Sequence, residues 1–121
     1  MTDEVERWRK QAAEDVITAK VLYKNKRYDG AAFYCQQSVE KAFKALLIKK
    51  TGKIRRIHDL VELGRNIDAP EEILNMVKEL TMVYVYSRYP DMKQEKLNLK
   101  EKTYHFLEAS KKVLKWVEES L

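Results

Sequence analysis

Apolar residues return along this chain every three or four positions, the spacing of one face of a helix. Trp8, Ala12, Ala19 and Leu22, with Val5 and Val16 beside them, predict a first helix over Asp3 to Lys24. Thr2 or Asp3 can cap its start, and Asp3, Glu4 and Glu6 complement the helix dipole there. Asp15 lies in the same stripe, between Ala12 and Ala19, where a carboxylate is costly unless something pairs with it. Lys24 to Arg27 makes a turn, and Tyr28 to about Lys50 reads as a second helix. Its face carries Ala32, Cys35, Val39, Ala42 or Phe43, and Leu46, widened by Phe33 and Leu47. Two helices of roughly 30 Å each, joined by a short turn, are antiparallel neighbours.

Gly52 ends the second helix through a left-handed cap, and Thr51 to Ile57 is a loop. His58-Asp59 opens a short helix, Asp59 to about Arg65. Asp68-Ala69-Pro70 then restarts the chain, with Asp68 or Ala69 at the cap, Pro70 in the first turn and Glu71 and Glu72 after it. A fourth helix carries Ile73, Val77, Leu80, Tyr84 and Ser87 or Arg88 on one face, until Pro90 stops it. Tyr89 to Leu97 is a polar loop. Asn98 or Leu99 begins a last helix with Leu99, Thr103, Phe106, Ser110, Val113 and Val117 along its face. The fold expected is all-α: one domain over residues 1–121, an up-and-down bundle of four main helices plus one short helix. There is no internal repeat or low-complexity tract.

Composition agrees with that pattern. Of 121 residues, 45% are hydrophobic and 36% charged, which suits a continuous core under a charged surface and is too apolar for disorder. The single cysteine, Cys35, excludes an internal disulfide and fits a reducing compartment. Met1 to Lys10 has no apolar run, and no stretch approaches the ~20 apolar residues that span a bilayer. A cytoplasmic location without membrane attachment is therefore expected. A net charge of +5 is compatible with an anionic partner without requiring one. Two histidines and one cysteine show no metal-ligand spacing, and no Gly-rich phosphate loop, nucleophile elbow or paired carboxylates occur. No cofactor is expected.

Several residues are candidates for chemistry. Arg88, at the apolar edge of the fourth helix, can bind a phosphate or form a structural pair with Asp15. His58 can act as a general acid or base, or simply cap the helix it precedes. His105 follows Lys100 by five residues inside the last helix. Lys49, Lys50, Lys53, Arg55 and Arg56 place five cations in eight residues, either a phosphate-binding patch or a solvated loop that neutralises the end of the second helix. Tyr84, Tyr86 and Tyr89 around Arg88 can stack on bases or line a dimer interface. Gln36, Gln37, Glu40, Lys41 and Lys44 span two helix faces, so some must meet solvent or a partner, and Glu40 and Lys44 can pair at four-residue spacing.

Two segments are more specific than periodicity: Tyr28 to Leu47, with its Gln36-Gln37-Ser38-Val39-Glu40-Lys41-Ala42-Phe43-Lys44 run, and Ser87-Arg88-Tyr89-Pro90-Asp91. With His58-Asp59-Leu60 between them and Ala12, Asp15, Ala19 and Leu22 before them, they resemble the HEPN domain family over nearly the whole chain. The resemblance implies a helical bundle that forms a two-fold dimer and works with a minimal nucleotidyltransferase. Many members of the wider family are metal-independent ribonucleases carrying an Arg followed four to six residues later by His. This sequence departs from that pattern: Tyr89 to Glu95 contains no His, and in the nearest match, Lys100 and His105, Lys lacks the planar fork of guanidinium. The function implied is a non-catalytic dimeric module of a toxin–antitoxin-type system. It partners a minimal nucleotidyltransferase and binds nucleotide or RNA phosphates through Arg88, Lys53, Arg55 and Arg56. The alternative is a metal-independent ribonuclease that uses Arg88 with His58 or His105 brought close in space.

Overall fold

Residues 2–89 and 99–121 are described in the computed structural model of the protein. Among them run six helices, α1 (Asp3–Lys24), α2 (Tyr28–Thr51), α3 (Leu60–Asn66), α4 (Glu71–Val77), α5 (Met82–Arg88) and α6 (Leu99–Ser120). The all-α bundle expected from periodicity is the architecture observed. Pro90 and the rest of the expected polar loop up to Leu97 lie outside the described residues.

Local chemistry sets the ends of the long helices. Thr2 Oγ1 accepts the Val5 N–H at 3.2 Å, and three acidic residues follow in the first turn of α1. The chain reverses over Asn25 to Arg27, with Lys26 in the left-handed region at φ 62° and the Arg27 N–H donating to Leu22 O at 2.8 Å. Gly52 closes α2 at φ 73°, where a side chain would be strained, and its N–H bonds Ile48 O at 2.8 Å.

α2 is the central helix, packed against α1, α6, α3 and α5. Ser38 Oγ donates to Ala12 O at 2.8 Å where α1 crosses it, so a small residue brings two backbones together and satisfies its own hydroxyl. On the side toward α6 and α3, Phe43 and Leu46 are fully buried with Leu60, Leu63, Ile67, Val113 and Val117. Each such side chain is worth roughly 2 kcal/mol of apolar burial. Phe43 also meets Trp116 edge to face, centroids 6.4 Å apart. The inward face of α6 is the predicted one from Thr103 onward, with Leu107 added and Leu99 only partly buried.

The short helices depart from expectation in two places. Pro70 is not in the first turn of its helix: it occupies the cap position itself (φ −67°, ψ 159°), and α4 begins at Glu71. Asp68, at φ 59°, and Ala69, whose N–H bonds Gly64 O at 2.9 Å, belong to the preceding turn. Gly64 lets α4 approach, since a Cβ there would stand 2.7 Å from Leu74 Cδ2. The second departure is that the expected fourth helix is two helices, α4 and α5, separated by Lys78 to Thr81. Met82 N–H bonds Glu79 O and Val83 N–H bonds Leu80 O, a three-residue tightening, while Thr81 Oγ1 accepts the Leu60 N–H at 2.9 Å. A step of three keeps Val77, Leu80 and Val83 buried, so apolar spacing runs unbroken through a real break. At the far end of α5, Tyr89 takes φ −123° and ψ 86°, non-helical angles of the kind a residue before proline adopts.

Candidate functional site

The polar run of α2 divides between the interior and the surface, and most of its charge is on the inner side. Gln36, Glu40 and Lys44 recur one turn apart and are 0%, 5% and 4% exposed. Only Gln37 and Lys41 reach partial exposure. A carboxylate and an ammonium at that depth need partners, and each has them. Glu40 Oε2 accepts from Lys44 Nζ at 3.0 Å, and Glu40 Oε1 accepts from Gln36 Nε2 at 3.0 Å and lies 3.0 Å from His58 Nδ1. Gln36 Oε1 in turn accepts from Gln37 Nε2 at 2.7 Å. Lys44 sits over the Trp8 ring of α1, 5.7 Å from its centroid, so an aromatic face shields the buried cation. The four-residue Glu40–Lys44 pairing was legible in the sequence. Its burial was not, because the cover comes from Trp8, 36 positions away by number, and from His58.

His58 is where this network meets solvent. Its side chain is 42% exposed while that of Glu40 is 6% exposed. The imidazole stacks on Tyr84 of α5, centroids 4.0 Å apart and planes 15° apart. The loop entering α3 is anchored by Asp59, whose Oδ1 accepts the Val61 and Glu62 N–H groups at 3.0 and 3.2 Å. Thr81, between α4 and α5, bonds to the same corner through Leu60 N–H. Residues 84 and 88 are one turn apart on α5, so the end of that helix lies beside the stacked pair. The side chain of Arg88 lies outside the described residues.

The remaining candidates separate. Asp15 is buried at 3% exposure and accepts from Lys41 Nζ at 2.7 Å and Gln11 Nε2 at 3.0 Å. The partner that its position on the apolar stripe demands is thus supplied, on the described side, by α2. The expected Asp15–Arg88 pair lies outside the described residues on its Arg88 side. His105 is on the exposed side of α6, 3.9 Å from Glu101 and edge-on to Tyr104, and has no contact with the Glu40 network. In the cationic loop, Arg55 is held by Glu62 at 3.0 Å and Asn66 at 2.6 Å. Lys50 bonds Ile67 O at 3.1 Å. Lys53 and Arg56 are exposed and form no ion pair among the described residues.

Two other groups are chemically quiet. Burial pushes the Cys35 thiol up to about 12, only partly offset by the Ser110 hydroxyl, so the sulfur stays protonated and unreactive. Arg9 bonds both Glu6 and Glu118, which raises its own affinity for the proton and holds the Glu6 carboxyl below the usual range. Among the described residues no group of three or more His, Cys, Asp or Glu is placed to hold a metal, and no helix is long and apolar enough to cross a membrane.

The helices packed around α2 make this chain a small all-α bundle. The HEPN domain model matches residues 5–120, and the chain belongs to that family. It is 36% identical over 93 residues to a Methanocaldococcus jannaschii protein named "Putative toxin MJ1304". That match takes in 68% of this chain, and the chain spans about 60% of the length of that curated relative. Among solved structures, TT1696 from Thermus thermophilus superposes with a TM-score of 0.89 at 26% identity, covering 99% of this chain and 100% of the other. ST0689, described as an archaeal HEPN homologue, superposes with a TM-score of 0.79 at 30% identity, with 98% of each chain covered.

Proposed function

We propose that this chain is the HEPN module of a toxin–antitoxin-type system, a homodimer that partners a minimal nucleotidyltransferase and binds nucleotide or RNA phosphates beside His58, Tyr84 and Arg88. The observation that carries the reading is the fixed His58: a half-exposed imidazole held by a buried carboxylate and stacked on Tyr84, one turn from Arg88. A flat aromatic pair next to a guanidinium-bearing helix end is suited to a base and its phosphate. Lys53 and Arg56, on the loop leading into His58, supply further phosphate contacts, whereas Arg55 is spent on Glu62 and Asn66. The name carried by the Methanocaldococcus jannaschii relative supports the toxin–antitoxin setting.

One observation favours a second reading, a metal-independent ribonuclease. His58 is paired with a carboxylate and open to solvent, the arrangement of a general base, and with Arg88 nearby it would stand in for the absent arginine–histidine spacing. A single assay separates the two. Labelled single-stranded RNA is incubated with the protein in EDTA and scored for both retention and cleavage, alongside Arg88→Ala and His58→Ala. Retention without cleavage, weakened in Arg88→Ala, is the expected result. Cleavage lost in both variants establishes the ribonuclease, and neither retention nor cleavage by a folded protein refutes both.

A further inference from the structure

We infer that Glu40 and Lys44 are positioning residues for His58: they hold its ring with the proton on Nδ1 and present a bare Nε2 to whatever binds beside Tyr84. This rests on the reading of the His58–Tyr84 edge as the binding site. The geometry allows little else. Glu40 Oε1 is a carboxylate oxygen 3.0 Å from Nδ1, so an unprotonated Nδ1 would set two lone pairs against each other. Lys44 already pairs with the other oxygen of that carboxylate, Oε2, at 3.0 Å. Gln36 occupies the remaining approach to Oε1 and keeps the carboxylate from rotating away. Tyr84 fixes the ring plane. Nε2 makes no hydrogen bond among the described residues, and it lies on the ring edge opposite the buried carboxylate. The result is an acceptor aimed outward, able to take a hydrogen bond from a ligand N–H or O–H group.

The alternative is that Glu40–Lys44 merely stabilises the bundle. A buried ion pair is poor at that, since apolar residues of similar volume usually do as well or better. The reason for keeping one here is then the acceptor it offers to Nδ1.

Two neutral double variants isolate that acceptor. Glu40→Gln with Lys44→Met retains an oxygen facing Nδ1, and Glu40→Met with Lys44→Met removes it. Both lack the buried charges, and thermal melting checks that both fold. Long-range proton–nitrogen spectra of 15N-histidine-labelled protein report which ring nitrogen carries the proton, and fluorescence anisotropy with labelled single-stranded RNA reports affinity. The wild type and the Gln/Met variant are expected to show the proton on Nδ1 and similar affinities. The Met/Met variant is expected to move the proton to Nε2 and to bind about tenfold more weakly, the worth of one net hydrogen bond. A wild-type proton on Nε2, or the same tautomer and affinity in both double variants, overturns the inference. A wild type that binds no RNA refutes the functional reading instead, and the tautomer comparison still decides whether Glu40 positions the ring.

Discussion

α2 has two buried faces, and they are buried for different reasons. One carries Cys35, Val39, Ala42, Phe43 and Leu46, each at most 2% exposed. The other carries Gln36, Glu40 and Lys44, none more than 5% exposed. The first converts removal of apolar surface from water directly into stability. The second must recover the cost of desolvating a carboxylate and an ammonium through hydrogen bonds before it contributes anything. Equal burial therefore does not mean equal contribution. The apolar face holds the bundle together, and the polar face defines where a histidine points.

Damaging each face in turn separates their contributions. Phe43→Ala opens a cavity under Trp116 and Gly64 and is expected to cost about 3–5 kcal/mol in a urea titration. Lys44→Met alone leaves Glu40 buried without its cation and is expected to cost about 3 kcal/mol, although it adds apolar surface. Pairing it with Glu40→Met should restore most of that loss. If Lys44→Met alone is neutral, Glu40 is not the buried charge its surroundings indicate.

Cys35 tests how dry the apolar face is. Its thiol is raised by burial from 9.0 to about 12, so between those values the unfolded chain gives up the proton and the folded chain keeps it. Stability then falls as pH rises through that window, by about 1 kcal/mol per pH unit from this group. Cys35→Ala should remove that part of the slope, read as the difference between the two stability–pH curves. Thr103 is a smaller test: it is fully buried on α6, and its Oγ1 has no hydrogen-bond partner among the described residues. Thr103→Val should raise the stability measured by urea by about 1 kcal/mol. The least change is expected at the surface, where Arg9→Ala breaks the solvent-screened pairs with Glu6 and Glu118 for a small loss in the same urea titration, smaller still in high salt. Glu6 has a depressed carboxyl, so its contribution is present above its ordinary titration range and fades as pH falls through the folded value.

Much of the site was readable one residue at a time and unreadable as a set. His58 stood out because an ionisable ring precedes an Asp cap, and Glu40 and Lys44 stood out as a four-residue pair. Nothing in the chain joined them, because the 18 residues between Glu40 and His58 are closed by the loop after Gly52, which turns back from the end of α2 and brings His58 against Glu40. Asp15 shows the same limit: its position on an apolar stripe demanded a partner, and the fold supplied Lys41 from 26 residues away.

The long helices α1, α2 and α6 follow from local facts alone: apolar periodicity, a Thr cap at residue 2 and a left-handed Gly52. Family membership was legible for the same reason, as a linear order of motifs. The break between α4 and α5 and the burial of Glu40 and Lys44 were settled by tertiary contacts, and the Pro70 cap by the turn that returns Ala69 N–H to Gly64 O. The first two depend on groups well separated in the chain, Leu60 N–H for Thr81 and Trp8 and His58 for the polar face. Helix periodicity encodes which side of a helix turns inward. What that side meets is settled only when the other helices arrive.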